Sequence, residues 1–219
     1  MVSKIVASAA EAVRDIRDGA TILVGGFGMA GMPSRLMDAL IEQGARDLTI
    51  VSNNAGNGDT GLAALLKTKR VQKIICSFPR QSDSYVFDAL YRAGEIALEV
   101  VPQGNLVERM RAAGAGIGAF YTPTGHGTIL AEGKESRTID GRDHVLEYPI
   151  RADVAIIKAF KADRWGNLIY RKTARNFGPV MAMAASCTIA QVDDIVELGA
   201  LDPESIVTPG IFVHRVVKA

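Results

Sequence analysis

The chain has 219 residues, 48% apolar and 22% charged, the composition of an ordinary globular protein that can bury a core without disulfides or metals. Its 25 lysines and arginines nearly balance 24 aspartates and glutamates, which leaves no electrostatic footprint for a nucleic-acid partner. Apolar runs are too short for a membrane span and the first residues lack a signal-peptide core, so we expect a cytoplasmic protein. Cys76 and Cys187 are interpreted as reduced thiols, with a reactive thiol as the alternative, and no metal site is predicted.

Strands and helices alternate through the first half of the chain. Ser8 and Glu11 have capping-box spacing, which predicts a helix that runs to about Arg17. Short apolar runs predict strands at 21–24, 48–51, 71–76 and 96–101. Helices are predicted from Pro33 to Gly44, at 61–67, from a cap at Ser82 or Asp83 to Arg92, and from a cap at Asn105 to about Ala113. The alternation predicts a mainly parallel sheet, and the right-handed crossover rule favours an open, doubly wound one.

The second half is richer in predicted strands and loops. Asp140 and Gly141, between strand-like flanks, predict a hairpin. Further strands are predicted at 153–160, within 163–170 and at 188–192, with a helix at 179–185. No linker or repeat divides the chain. We therefore predict a single α/β domain over residues 1–219, an open, mainly parallel doubly wound sheet with helices on both faces and a strand-rich C-terminal layer.

Four glycine- and amide-rich loops follow predicted strand ends, at 25–31, 52–59, 77–83 and 102–105, where ligands collect in open α/β sheets. The first contains GxGxxG from Gly26 to Gly31, between a strand and a helix, as in dinucleotide-binding proteins. That fingerprint also needs an acid at the end of the next strand, and none is present there. The loop therefore predicts either a phosphate or oxyanion site or a tight packing turn.

Neutral amides occupy the other strand ends. Asn53 and Asn54 are adjacent, and Gln103 follows the next-but-one strand. Such donors suit a place where negative charge appears transiently on a carbonyl oxygen, although an asparagine can also simply shape a turn. The serines of these loops have no neighbouring histidine, and the three histidines, His126, His144 and His214, all lie in the second half. We infer that another chain supplies the missing nucleophile.

Several segments carry a resemblance to a known family. They are 18–33, with its Gly-Gly-Phe and Gly-x-Pro, then 52–56, 101–109 and 163–168. In sequence and in order they resemble the A-subunit type of family I CoA-transferases, and the resemblance covers essentially the whole chain. It implies a ping-pong reaction in which a CoA thioester is a substrate and no cofactor is bound permanently.

The same resemblance assigns roles to residues and to a partner. A glutamate of a B subunit is expected to attack the thioester, within a heterodimer or heterotetramer that is inactive without that subunit. Asn53, Asn54 and Gln103 are the implied carbonyl and oxyanion donors. The implied CoA-contacting segment consists of Val24, Gly25, Gly26, Phe27, Gly28, Met29 and Ala30. Neither a nucleic acid nor a membrane is expected as a partner.

Segments 76–85 and 175–179 most resemble family members that move CoA from succinyl-CoA to 3-oxoadipate in aromatic-compound degradation, with acetoacetate as the alternative acceptor. A dicarboxylic acceptor needs a cation at its distal carboxylate, and Arg80 in a strand-end loop is the candidate. Two other classes stay open. One is a self-sufficient nucleotide-binding oxidoreductase, which GxGxxG favours, and the other is a non-catalytic ligand-binding module.

Overall fold

The computed structural model describes residues 2–219, which contain an eight-stranded sheet and a separate three-stranded sheet. The strands are β1 (Thr21–Val24), β2 (Leu48–Val51), β3 (Val71–Cys76), β4 (Ala97–Val100), β5 (Phe120–Thr122), β6 (Ser136–Ile139), β7 (Arg142–Glu147), β8 (Ala152–Asp163), β9 (Leu168–Ile169), β10 (Ala185–Val196) and β11 (Arg215–Lys218). The α-helices are α1 (Ala9–Val13), α2 (Ser34–Gln43), α3 (Leu62–Lys67), α4 (Tyr85–Arg92), α5 (Gln103–Ala115) and α6 (Gly178–Ala184). Short 3-10 turns occur at Ile129–Ala131, Lys172–Arg175, Pro203–Ser205 and Gly210–Phe212.

The large sheet has the order β11-β10-β8-β1-β2-β3-β4, and β9 pairs with β8 outside this path. All pairings along the path are parallel, whereas β9 is antiparallel to β8. The chain builds outward from β1 to β4 and then returns to the other side of β1 with β8. The switch point of this topology therefore lies between β1 and β8, and the loop 25–31 leaves the sheet there.

Helices cover both faces of the large sheet, which confirms the predicted fold class. Ile22 and Val24 of β1 belong to the buried cluster that includes α1 to α4, whereas Leu23 belongs to the cluster that includes α5 and α6. Successive strand residues point to opposite faces, so a strand covered on both sides must be apolar throughout. Complete burial of each such side chain is worth about 1.5–3 kcal/mol.

The first helix begins as predicted and ends early. Ser8 Oγ accepts a hydrogen bond from Glu11 N at 3.1 Å, and Glu11 Oε2 accepts one from Ala7 N at 3.0 Å. Arg215 Nη1 of β11 donates to Ala12 O at 2.6 Å, and Ile16 N, four residues after Ala12, donates to the Val13 carbonyl instead. The helix α1 therefore stops at Val13 rather than near Arg17, where its last turn tightens to an i→i−3 bond and Arg215 caps the Ala12 carbonyl.

Asn105 does not cap a helix, and that prediction was wrong. The helix α5 begins at Gln103, directly after Pro102, and Asn105 lies buried within its first turn. Asn105 Nδ2 donates to Thr124 O at 3.1 Å and to Glu147 Oε1 at 3.2 Å. A buried amide must find partners, and here it joins α5 to the small antiparallel sheet formed by β5, β7 and β6.

The strands of the second half belong to both sheets. The predicted hairpin is confirmed between β6 and β7, with Asp140 and Gly141 at φ +51° and +75°. In contrast, β8, β10 and β11 extend the large sheet on the far side of β1, and β8 and β10 are 12 residues each, longer than predicted. No helix within residues 2–219 combines the length and the apolar character that a membrane crossing requires.

Candidate functional site

Three strand-end loops meet at Asn53, which is 3% exposed and follows β2. Its Oδ1 accepts hydrogen bonds from Ser77 Oγ at 2.9 Å and from Gln103 Nε2 at 2.8 Å. Ser77 follows β3 and Gln103 opens α5, so parallel neighbours bring the three side chains together. No hydrogen bond within residues 2–219 uses Asn53 Nδ2. The amide is therefore held by its oxygen and presents its NH2 group as a donor.

Asn54 lies beside the first loop and shapes its own turn. Its Oδ1 accepts a hydrogen bond from Gly56 N at 2.9 Å, the pattern of an Asx turn. The same residue lines a narrow crevice together with Gly28 and Met29. The sequence left open whether this asparagine forms a turn or a site, and the structure shows the turn geometry at a place where loops 25–31 and 52–59 touch.

Four of the seven amides of the glycine loop, residues 25–31, donate within the protein, whereas those of Gly28, Met29 and Gly31 have no acceptor within residues 2–219. Gly25 N donates to Ile156 O at 2.9 Å, Gly26 N to Asn176 Oδ1 at 3.3 Å, and Phe27 N to Ala30 O at 2.9 Å. An anion-binding loop needs several N–H groups that point at the ligand. The glycines here serve a tight turn, and the side chains of Phe27 and Met29 project outward, 54% and 57% exposed.

The N-terminus of α2 is also occupied, which weighs against a dinucleotide site. Gln191 Oε1 of β10 accepts hydrogen bonds from Arg35 N at 3.0 Å and from Leu36 N at 3.3 Å. In a dinucleotide-binding protein the pyrophosphate lies at this helix end. Because Gln191 takes these donors and no acid follows β2, the geometry disfavours the nucleotide-binding oxidoreductase that GxGxxG alone would favour.

A cavity of about 380 Å³ opens between the glycine loop, α5 and the start of α6. It is lined by Phe27, Gln103, Val107, Arg111, Arg175, Asn176, Phe177, Pro179 and Val180. Gln103 and Phe27, both predicted from the sequence, thus face one space. Segment 175–179 entered the sequence analysis only through its resemblance to family members, and it was assigned no place in the site because no local pattern indicates that it reaches a loop 150 positions away.

Asn176 connects this later segment to the glycine loop. Its Oδ1 accepts from Gly26 N and its Nδ2 donates to Ala30 O at 3.0 Å. Its backbone has φ +20°, a conformation that a non-glycine residue rarely adopts. A residue held in such a conformation by several hydrogen bonds is characteristic of a site whose shape is fixed by its surroundings.

Arg80 lies outside this cavity. Its Nε donates to Asp88 Oδ1 at 2.6 Å, and its side chain is about half exposed. The 3-10 turn Lys172–Arg175 instead supplies a cation to the cavity. The role of Arg80 at a substrate carboxylate stays a prediction.

The hydroxyl beside Asn53 is Ser77 Oγ, and within residues 2–219 it bonds only the oxygens of Asn53, with no histidine or carboxylate partner that could activate it as a nucleophile. Burial raises the pKa of the Cys76 thiol to about 12, and burial also raises the pKa of Cys187, which lies at the amino ends of the strands, away from the site. His126 is 4.0 Å from Asp143 in the small sheet, and His214 Nδ1 accepts a hydrogen bond from Thr188 N. Within residues 2–219 no cluster of three potential metal ligands occurs either. The site therefore consists of neutral donors, cations and apolar walls.

Comparisons with known proteins agree with this arrangement. A model of the coenzyme A transferase family matches residues 6–219. The chain is 71% identical to the A subunit of the 3-oxoadipate CoA-transferase of Pseudomonas putida, over 99% of this chain and 94% of that protein. It is 52% identical to the A subunit of the probable succinyl-CoA:3-ketoacid coenzyme A transferase of Bacillus subtilis, over 98% of this chain and 89% of the relative.

A solved structure shares both the fold and part of the sequence. The acyl-CoA transferase apoenzyme of Escherichia coli O157:H7 superposes with a TM-score of 0.89 at 25% identity, over 99% of this chain and 47% of that one. This chain thus spans about half of that larger transferase. The glutaconate coenzyme A-transferase of Acidaminococcus fermentans, at 22% identity and a TM-score of 0.86, shares the fold. These matches confirm the resemblance read from the sequence, and the chain belongs to the coenzyme A transferase family.

Proposed function

We propose that the chain is one half of a two-subunit enzyme that moves CoA from succinyl-CoA to 3-oxoadipate, and that a glutamate of the B subunit is the nucleophile. The observation that carries the proposal is the Asn53 amide, whose oxygen is held by Ser77 and Gln103 while its NH2 group remains to donate. A fixed neutral donor stabilises an oxyanion without becoming a nucleophile. The attacking group must then come from another chain.

In the proposed reaction CoA is transferred twice, first from succinyl-CoA to the glutamate and then from the glutamate to the acceptor. The glutamate carboxylate attacks the carbonyl carbon of succinyl-CoA, and the CoA thiolate leaves as an acyl-glutamyl anhydride forms. The thiolate then attacks the glutamyl carbonyl carbon and releases succinate, which leaves a glutamyl-CoA thioester. The acceptor carboxylate attacks this thioester, and the thiolate returns to the acceptor acyl carbon, so the free glutamate is restored. Each attack creates a tetrahedral oxyanion, which Asn53 Nδ2 is placed to receive.

The surrounding residues position and enclose the substrates. Gln103 orients Asn53, and Asn54 fixes the loop that follows β2 against the glycine loop. We propose that residues 24–30 contact CoA through the exposed side chains of Phe27 and Met29, since most amides of that loop already have partners. CoA enters as a substrate and leaves as a product, and no permanently bound cofactor is proposed.

The acceptor is assigned from the relatives. The greater identity to the Pseudomonas putida protein, 71% against 52% for the Bacillus subtilis one, supports 3-oxoadipate over another 3-oxo acid such as acetoacetate. We propose a single domain over residues 1–219 in a heterodimer or heterotetramer. We also propose a cytoplasmic location, which the two unpaired cysteines support because thiols stay reduced there.

The test is transfer of CoA from succinyl-CoA to 3-oxoadipate by the chain alone and by the chain co-expressed with a B-type subunit. We expect 3-oxoadipyl-CoA only from the mixture. Activity of the chain alone would show that the nucleophile lies within it. An inactive mixture that acts on acetoacetate would move the assignment to that acceptor, and a mixture that binds CoA esters without turnover would support the ligand-binding module.

A further inference from the structure

The cavity beside Gln103 contains two arginines, and their surroundings differ. Arg111 Nε lies 3.1 Å from Glu108 Oε2 on the same helix, so its charge is balanced locally. The side chain of Arg175 makes no salt bridge and no hydrogen bond within residues 2–219. A guanidinium without a protein partner on the wall of a cavity is available to bind an anion in a bidentate manner.

The surroundings of Arg175 leave its charge uncompensated. Its ionisable neighbour Tyr170 is buried, which raises the pKa of that phenol to about 12, so the ring carries no negative charge near neutral pH. The phenol hydroxyl is 2.8 Å from Thr208 Oγ1 and is already hydrogen-bonded. The charge of Arg175 therefore remains available to a ligand in the cavity.

The backbone next to Arg175 is held in place. Asn176 bonds Gly26 N and Ala30 O of the glycine loop, and a Cβ atom at Gly31 would lie 2.6 Å from Ala174 O. The turn that carries Arg175 is thus packed closely against the loop that carries Phe27. Arg175 itself is exposed, so the fixed turn sets where its side chain starts, and the guanidinium lines the cavity from the solvent side.

We propose that Arg175 binds the distal carboxylate of dicarboxylic acids and so determines the preference of this site for them. The inference deepens the proposed function and rests on it. The reacting end of the acid lies at Asn53, which Gln103 contacts, and the free carboxylate lies at Arg175 across the cavity that Gln103 and Arg175 share. 3-Oxoadipate carries such a carboxylate beyond four carbon atoms, whereas succinate has only two between its carboxyl groups, so Arg175 is assigned to the acceptor half-reaction.

The experiment compares two acceptors in the complex with the B subunit. One is 3-oxoadipate, and the other is 3-oxohexanoate, which has a methyl group where the distal carboxylate stands. In Arg175→Gln we expect the KM for 3-oxoadipate to rise roughly 10- to 100-fold, with kcat changed less than about threefold, because a charged hydrogen-bond pair is lost. The ratio of kcat/KM for 3-oxoadipate over 3-oxohexanoate should fall by the same factor. The same ratio in Arg175→Lys should lie between that of the unsubstituted complex and that of Arg175→Gln.

The controls separate this inference from the proposed function. Arg46→Gln changes an exposed residue just before β2, at the amino ends of the strands, and should leave the ratio unchanged. Arg80→Gln tests the arginine that the sequence favoured, and a larger fall in the ratio there than in Arg175→Gln would overturn the assignment. An equal loss on both acceptors in Arg175→Gln and Arg175→Lys would also overturn it, because that is the result of a structural role. Failure of the unsubstituted complex to transfer CoA would reject the proposed function instead.

Discussion

At the scale of single residues, the site depends on the side-chain amide of Asn53, whose oxygen and nitrogen have different roles. Asn53 is anchored by its oxygen and donates through its nitrogen. Substitution of Asn53 by Ala should lower kcat of the assembled enzyme about 100- to 1,000-fold and change the KM for the CoA ester little, because the donor acts on the oxyanion. Steady-state kinetics tests this, with Gln72→Ala, an exposed amide at the start of β3, as the control. A loss confined to KM would contradict the role.

Two glycines of one loop should differ in how well they tolerate alanine. Gly31 has φ +76°, and an added Cβ would lie 2.6 Å from Ala174 O and 2.7 Å from Asn176 Nδ2. Gly28 has φ +59° and open space around the same atom. We expect Gly31→Ala to lower the free energy of unfolding by about 2–4 kcal/mol and Gly28→Ala by about 1 kcal/mol. Denaturant unfolding measures both, and equal losses would refute the close packing.

Site residues could be predicted from the sequence where they directly follow an apolar run that marks a strand. Asn53 and Gln103 follow apolar runs, and parallel neighbours bring such ends together, so their contact could be foreseen. Arg175 and Asn176 could not be assigned in the same way. They come after β9, which turns back along β8, and their contact with the glycine loop depends on the pairing of β1 with β8 rather than on any local pattern.

At the scale of elements, one carboxylate joins the edge strand β4 to its neighbours. Glu99 Oε2 is 2.6 Å from Lys73 Nζ of β3, and its Oε1 is 2.9 Å from Arg109 Nη1 of α5. Burial alone would raise the pKa of Glu99, but the hydrogen bonds from Lys73 and Arg109 outweigh it and keep the pKa below its usual value. These contacts therefore stabilise the fold most when Glu99 is ionised.

The consequence is a dependence on pH with a definite sign. Stabilisation by Glu99 should be complete above its unfolded pKa of about 4.3 and should disappear as the pH falls through the lower folded pKa. The difference in unfolding free energy between the wild type and Glu99→Gln should therefore shrink on acidification from neutral pH. Glu95→Gln, which removes an exposed pair with Lys69, should have little effect. A constant difference for Glu99→Gln would contradict the argument.

Element boundaries could be predicted where the composition changes sharply. The strands β1, β2 and β3 match their apolar runs because turn residues bound each run. The strand β8 continues beyond Phe160 to Asp163, since Lys161, Ala162 and Asp163 pair with residues 194–196 of β10. A polar strand end of this kind is stabilised by its neighbour, so alternation along the sequence alone underestimates its length.

At the scale of the whole molecule, apolar side chains stand exposed around the site. Phe78, which follows β3, is 56% exposed, and Phe27 and Met29 are exposed nearby. If the B subunit provides the nucleophile to Asn53, it must cover this edge. Phe78→Asp should therefore weaken the complex at least roughly tenfold in a titration of the two subunits. Ile117→Asp, at a position of similar exposure just after the end of α5, should leave the affinity unchanged. Unchanged affinity in Phe78→Asp would place the partner elsewhere.

The central position of β1 has a consequence for how the chain is made. One side of β1 pairs with residues 49–51 of β2, and the other side pairs with residues 154–156 of β8. During synthesis the first partner emerges from the ribosome soon after β1, whereas the second follows more than a hundred residues later. In the meantime a nascent sheet of four strands keeps an open, apolar inner edge, which is the kind of edge that aggregates. Slow translation or early release of the chain would therefore expose the strand that the finished protein protects best.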